Sequence, residues 1–149
     1  MYQLGDSVMA RLKENFVVTD DNRDKGKTFI LTEMPGEQGE LWAIQAAYLI
    51  EQAGMDVKPE EREGMAGLAS LERRHGHSIG FLRAIQDPSL EAMWQYVQYE
   101  PAPSLPPQPL IKGDACQIEE ISTRLQIRMA FMRMHLGFFS RAKAPTSAK

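Results

Sequence analysis

The residues best equipped for chemistry are scattered along this chain. His75 and His77 flank Gly76, a spacing that lets two imidazoles share a metal where the backbone is extended. No third ligand stands beside them: His135 is remote, Cys116 is the only cysteine, and no zinc spacing occurs. Two surface histidines near a helix end fit these neighbours better. Asp20, Asp21, Asn22 and Asp24 begin like a calcium loop, but the positions that demand glycine and a closing glutamate fall on Lys25 and Leu31. A solvated turn fits instead. Glu60-Glu61 and Glu119-Glu120 sit where a helix dipole welcomes acids, which accounts for both pairs without catalysis. Gly36 and Gly39 form no phosphate cradle, and no serine lies in a nucleophile elbow. These residues point to a protein that binds rather than catalyses, with no metal and no cofactor.

Length and composition agree with a binding module. The chain has 149 residues, 43% hydrophobic and 25% charged, which suffices for one domain with a core. The net charge of −3, without a basic stripe, argues against nucleic acid as a partner. No apolar run approaches the roughly 20 residues that cross a bilayer, and residues 1–13 lack the layout of a signal peptide. A single cysteine excludes an internal disulfide, so a reducing cytoplasm is expected.

Patterning predicts a mainly α (α+β) fold: one helical domain over 1–140 with an N-terminal hairpin, then a disordered tail over 141–149. The hairpin is expected over 16–33, where two β-rich runs flank a polar, turn-forming stretch ending at Gly26. Helices are expected at about 37–53, 60–74, 78–97 and 116–139. In the first, Trp42, Ala46, Leu49, Ile50 and Ala53 share one face, and Leu41, Ile44 and Tyr48 an adjoining one. Asp87-Pro88 reads as a cap followed by a first helical residue. Five prolines between 101 and 109 predict an exposed loop, and a second short β pair is possible around Tyr96–Ile111. Asp114 and Gln117 have capping-box spacing.

The last helix is the most informative element. Ile118, Ile121, Leu125, Met129, Met132, Leu136 and Phe139 form a core stripe at helical spacing. Ile127, Phe131, Met134 and Phe138 form a second, roughly opposite stripe. A helix on a monomer's surface needs one apolar face. The second is either covered within the chain or meets a partner or another copy. Ile127, Phe131, Met134, Phe138 and Phe139 are therefore the candidate partner or self-association surface.

Two stretches carry a family resemblance. One is Arg23-Asp24-Lys25-Gly26-Lys27-Thr28-Phe29-Ile30-Leu31-Thr32-Glu33-Met34-Pro35, leading into Glu40-Leu41-Trp42-Ala43. The other is Ile118-Glu119-Glu120-Ile121-Ser122-Thr123-Arg124-Leu125, then Arg128 and His135-Leu136-Gly137-Phe138-Phe139. Together they resemble the tail assembly chaperones of long-tailed bacteriophages and prophages. The resemblance implies a protein of the bacterial host's cytoplasm that coats the helical tape measure protein and helps bring in tail tube protein; the second apolar stripe of the last helix, needing cover, predicts a homo-oligomer. A virion structural protein, such as a head–tail connector or tail completion protein, is the alternative.

Overall fold

The computed structural model describes residues 11–53 and 79–147, with side chains over 11–53 and 80–137. Strands β1 (Lys13–Val17) and β2 (Thr28–Thr32) lead into helix α1 (Gly36–Gln52). Helix α2 (Ile79–Ile85) is followed by a 3-10 helix (Pro88–Tyr96), strands β3 (Val97–Glu100) and β4 (Gln108–Pro109), a 3-10 turn (Gly113–Ala115) and helix α3 (Ile121–Ser147). The expected helix over 60–74 lies outside the described residues.

The strands form one antiparallel sheet in the order β1-β2-β3-β4. This overturns the mainly α expectation: hairpin and second β pair are not separate attachments, and the fold is mixed, α+β. The join is the pairing of β2 with β3, where Phe29 faces Tyr99 and Leu31 faces Val97. Those partners are far apart in the chain, so local pattern gives no sign of it. Alternation along β2 sends Phe29 and Leu31 fully into the core. On the same face Phe16 lies opposite Phe29, whose ring meets that of Tyr99 at 5.5 Å.

The segment expected as helix over 78–97 divides into three. Asp87 accepts from the Ser89 amide and Pro88 supplies a fixed φ, so a new helical start interrupts the run as the Asp-Pro signal implies. From Pro88 the turns are 3-10, and at Val97 the chain becomes strand. Three hydrogen bonds hold the 3-10 helix to α1, one of them from Gln45 Nε2 to Ser89 Oγ at 3.0 Å. Trp42 Nε1 donates to the Leu90 carbonyl at 2.9 Å, and the Tyr96 hydroxyl donates to Gln38 Oε1 at 2.6 Å.

Helix α3 starts at Ile121, not near Cys116, and continues to Ser147 through the stretch expected to be a disordered tail. No local capping box opens it. The Gln117 side chain instead takes the Ile111 amide and donates to the Pro109 carbonyl, bracing β4. The donors at the mouth of α3 are met by the β1–β2 turn. That turn is shaped by Gly26, which at φ 86° adopts a conformation costly for other residues. It is closed by Val18 and Lys27 and by the Asp24 amide donating to Asn22 Oδ1.

Asp24 is fully buried, and its carboxylate accepts from the Glu119 amide at 3.0 Å, the Glu120 amide at 2.9 Å and Lys27 Nζ at 2.9 Å. Lys27 Nζ also reaches the Gln117 carbonyl and Glu119 Oε2, and Arg23 pairs with Glu120 at 2.8 Å. Burial alone would raise the Asp24 pKa; Lys27 and the two amides outweigh it and hold the carboxyl below its ordinary value. The two stretches that carry the family resemblance are thus clamped together. Asp24→Ala leaves the two amides without their acceptor and takes from Lys27 the buried one of its two carboxylate partners. It is expected to cost about 3–5 kcal/mol, measured as a loss of unfolding free energy in urea.

Candidate functional site

The central part of α3 lies inside the protein. Every described residue from Ile127 to Leu136 is buried except Arg133, which is partly so. Ile127 and Phe131 have no exposure and Met134 has 8%, so these three do not form the partner surface expected of them. The side chains of Phe138 and Phe139 lie outside the described residues. The described part of the second apolar stripe, Ile127, Phe131 and Met134, is covered by the chain itself: Trp42 of α1 meets Phe131 edge-on at 5.1 Å. Of the expected core stripe, Met129, Met132 and Leu136 are buried, whereas Ile121 is exposed.

Two polar groups accompany α3 into the core. Arg128 donates to the Ile85 carbonyl at 3.0 Å and pairs with Glu91 at 2.7 Å, so its charge is answered. His135 stacks on Phe131 at 4.2 Å, with the Trp42 ring 5.3 Å away. Its Nε2 accepts the Met34 amide at 2.9 Å. That places the proton on Nδ1, 3.0 Å from the Phe131 carbonyl that accepts it. Both ring nitrogens are occupied by the backbone, a structural role joining α3 to the entry of α1.

Among the described residues, no group of three His, Cys, Asp or Glu side chains could hold a metal, and no helix is long and apolar enough to cross a membrane. His75 and His77 lie outside those residues. Asp20, Asn22 and Asp24 do not converge on an ion position. Asp20 accepts from Gln126 at 2.7 Å, Asn22 braces the turn, and Asp24 is saturated by the clamp.

The helix with an uncovered second face is α1. Trp42, Ala43, Ala46 and Ile50 are buried, while Leu41, Ile44 and Tyr48 are 68%, 50% and 53% exposed. At 100° per residue these three fall within about 60° of one another, a continuous ridge. Glu40 and Glu51 are exposed on one flank of it, Glu37 is exposed in line with it at its N-terminal end, and α1 carries no basic residue. The ridge is therefore apolar with an acidic border. It was legible as the face adjoining the first helix's core stripe; only burial distinguishes it from the equally apolar stripe of α3. Compared with protein-family models, with curated proteins and with solved structures, the chain matches none.

Burial holds the His135 imidazole below its ordinary pKa of 6.5, against the pull of the Phe131 carbonyl. Unfolding restores the ordinary value, so below it the unfolded chain binds a proton that the folded chain refuses. Stability is therefore expected to fall as pH drops through about 6.5. Urea midpoints at about pH 7.5 and about pH 5.5 check this, and His135→Gln is expected to flatten the difference.

Proposed function

We propose that this chain is a non-enzymatic binding protein for amphipathic helices, acting as a tail assembly chaperone of a long-tailed bacteriophage or prophage. Its client is the tape measure protein, which it holds in the bacterial cytoplasm until tail tube protein assembles. One observation carries this reading: α1 has two opposed apolar faces, one buried in the core and one bearing Leu41, Ile44 and Tyr48 in solvent. Helix-in-groove and helix-on-helix recognition use anchors at this i, i+3, i+7 spacing. The acidic border of Glu37, Glu40 and Glu51 selects a client helix with basic flanks.

The magnitudes favour a reversible holder. Covering the exposed half of each of the three side chains is worth roughly 1 kcal/mol apiece. Association costs about 4–15 kcal/mol in lost freedom, so this ridge alone gives weak binding. Many copies along one long client gain effective concentration from each neighbour already bound. Weak single contacts then suffice, and they let the chaperone leave when the tube closes. Self-association in the absence of client no longer follows from Ile127, Phe131 and Met134, which are buried within the chain.

Co-expression with the tape measure protein of the same phage, followed by co-purification, tests the reading. The wild-type chain is expected to co-purify, less so as salt rises. The triple variant Leu41→Ser, Ile44→Ser, Tyr48→Ser is expected to keep its thermal midpoint within a few degrees, since surface changes cost little, and to lose the client. A wild-type chain that fails to co-purify removes the chaperone role; a triple variant that binds equally well removes the α1 ridge.

A further inference from the structure

A second feature shares no residue with the α1 ridge. Between the 3-10 helix, the β3–β4 pair and the start of α3 lies a groove of about 770 Å³, walled by Trp94, Val97, Leu110, Cys116, Ile118 and Arg124. Its volume is in the range of small-molecule and peptide pockets. Its charges are unequally answered. Arg128 reaches the Trp94 ring at 5.2 Å, but its guanidinium is paired with Glu91, the one acid in the lining. Arg124 lies 4.2 Å over the same ring, half withdrawn from water, with no carboxylate at ion-pair distance among the described residues. Lys112 adds a further positive charge to the rim. The Trp94 indole N–H is itself shut off from water and has no acceptor among the described residues. An unmet buried donor costs about 1–3 kcal/mol.

We infer that this groove binds a carboxylate carried on an apolar body, with the carboxylate on the Arg124 guanidinium and the body against Leu110, Ile118 and Val97. A planar guanidinium fork matches the two oxygens of a carboxylate, and the apolar walls suit a side chain of leucine or phenylalanine size. The apolar walls beside Arg124 favour a carboxylate on an apolar body over inorganic phosphate, which has no apolar part to fill them. Because Arg124 lies 4.2 Å over the Trp94 ring, an anion bound there sits beside the indole and changes its surroundings. Burial and the nearby charge of Arg128 both lower the Arg124 pKa, so an entering anion relieves an unfavourable positive charge.

The ¹⁵N-labelled full chain provides the readout, because its two tryptophans give two indole N–H signals and Trp94→Phe assigns them. N-acetylphenylalanine is titrated against its uncharged amide and against inorganic phosphate. The carboxylate is expected to move the Trp94 signal saturably, and the amide to bind about ten- to a hundredfold more weakly, the range for a charge-assisted hydrogen bond. The Trp42 signal, whose N–H is bonded to the Leu90 carbonyl, is expected to stay in place. Arg124→Gln is expected to abolish the response and Arg124→Lys to keep part of it. A peptide ending in Leu-Phe with a free terminus, compared with its amidated form, separates the sources. Tighter binding than the single residue identifies a protein C-terminus, and equal binding a small carboxylate. No response to either carboxylate, an equal response to acid and amide, or a phosphate response as strong as the carboxylate's overturns the inference. The wild-type titrations decide it even if Arg124→Gln fails to fold.

Discussion

A carboxylate without access to water must be met by donors on every side, and Asp24 meets that demand with parts of the chain more than ninety residues away. Its acceptors take the amides of Glu119 and Glu120 and the ammonium of Lys27, which in turn holds the Gln117 carbonyl and Glu119. A helix start leaves amide donors open; here the hairpin turn meets the Glu119 and Glu120 amides that lead into α3. The same contacts fix where α3 begins and at what angle it passes the sheet. Arg23 with Glu120, and Asp20 with Gln126, extend the clamp along the first turns of α3. Pairs at this exposure add little stability individually. Their contribution is orientation around the buried Asp24.

With α3 set by that clamp, its middle turns pass through the protein and must be apolar on all sides or carry partners with them. Ile127, Phe131 and Met132 satisfy the first condition. Arg128 and His135 satisfy the second, each bonded to a backbone carbonyl or amide of another segment. These polar groups do more than avoid a penalty. Arg128 joins α3 to the end of α2, and His135 joins it to Met34, two residues before α1, so three helices are keyed to one register. The cost is sensitivity to acid, because a buried neutral imidazole resists protonation.

Once α3 occupies the centre, α1 is left as the outer helix, with its inner face against Phe131 and His135 and its outer face in solvent. The apolar excess that suggested a partner for α3 is thereby transferred to α1. Two apolar stripes on two helices look alike on a helical wheel; packing order decides which stripe becomes interior. The groove beside Trp94 arises from the same arrangement, where the sheet's β4 edge and the start of α3 diverge around the 3-10 helix.

Local chemistry was legible from residue types alone. The polar run from Asp20 to Gly26 had to turn, Asp87-Pro88 had to restart a helix, α1 had to begin just after Pro35 and end by about Ala53, and β2 had to alternate. Each of those outcomes depends on residues within one or two turns of each other. Tertiary structure alone decided that Val97–Glu100 pairs with β2 to make one sheet, that α3 is capped from the hairpin, and that Ile127 and Phe131 face inward while Leu41 and Ile44 face out. The physical reason is shared by all three. Hydrogen bonds and burial between distant segments depend on which surfaces meet, and no periodicity within a segment records its eventual neighbour.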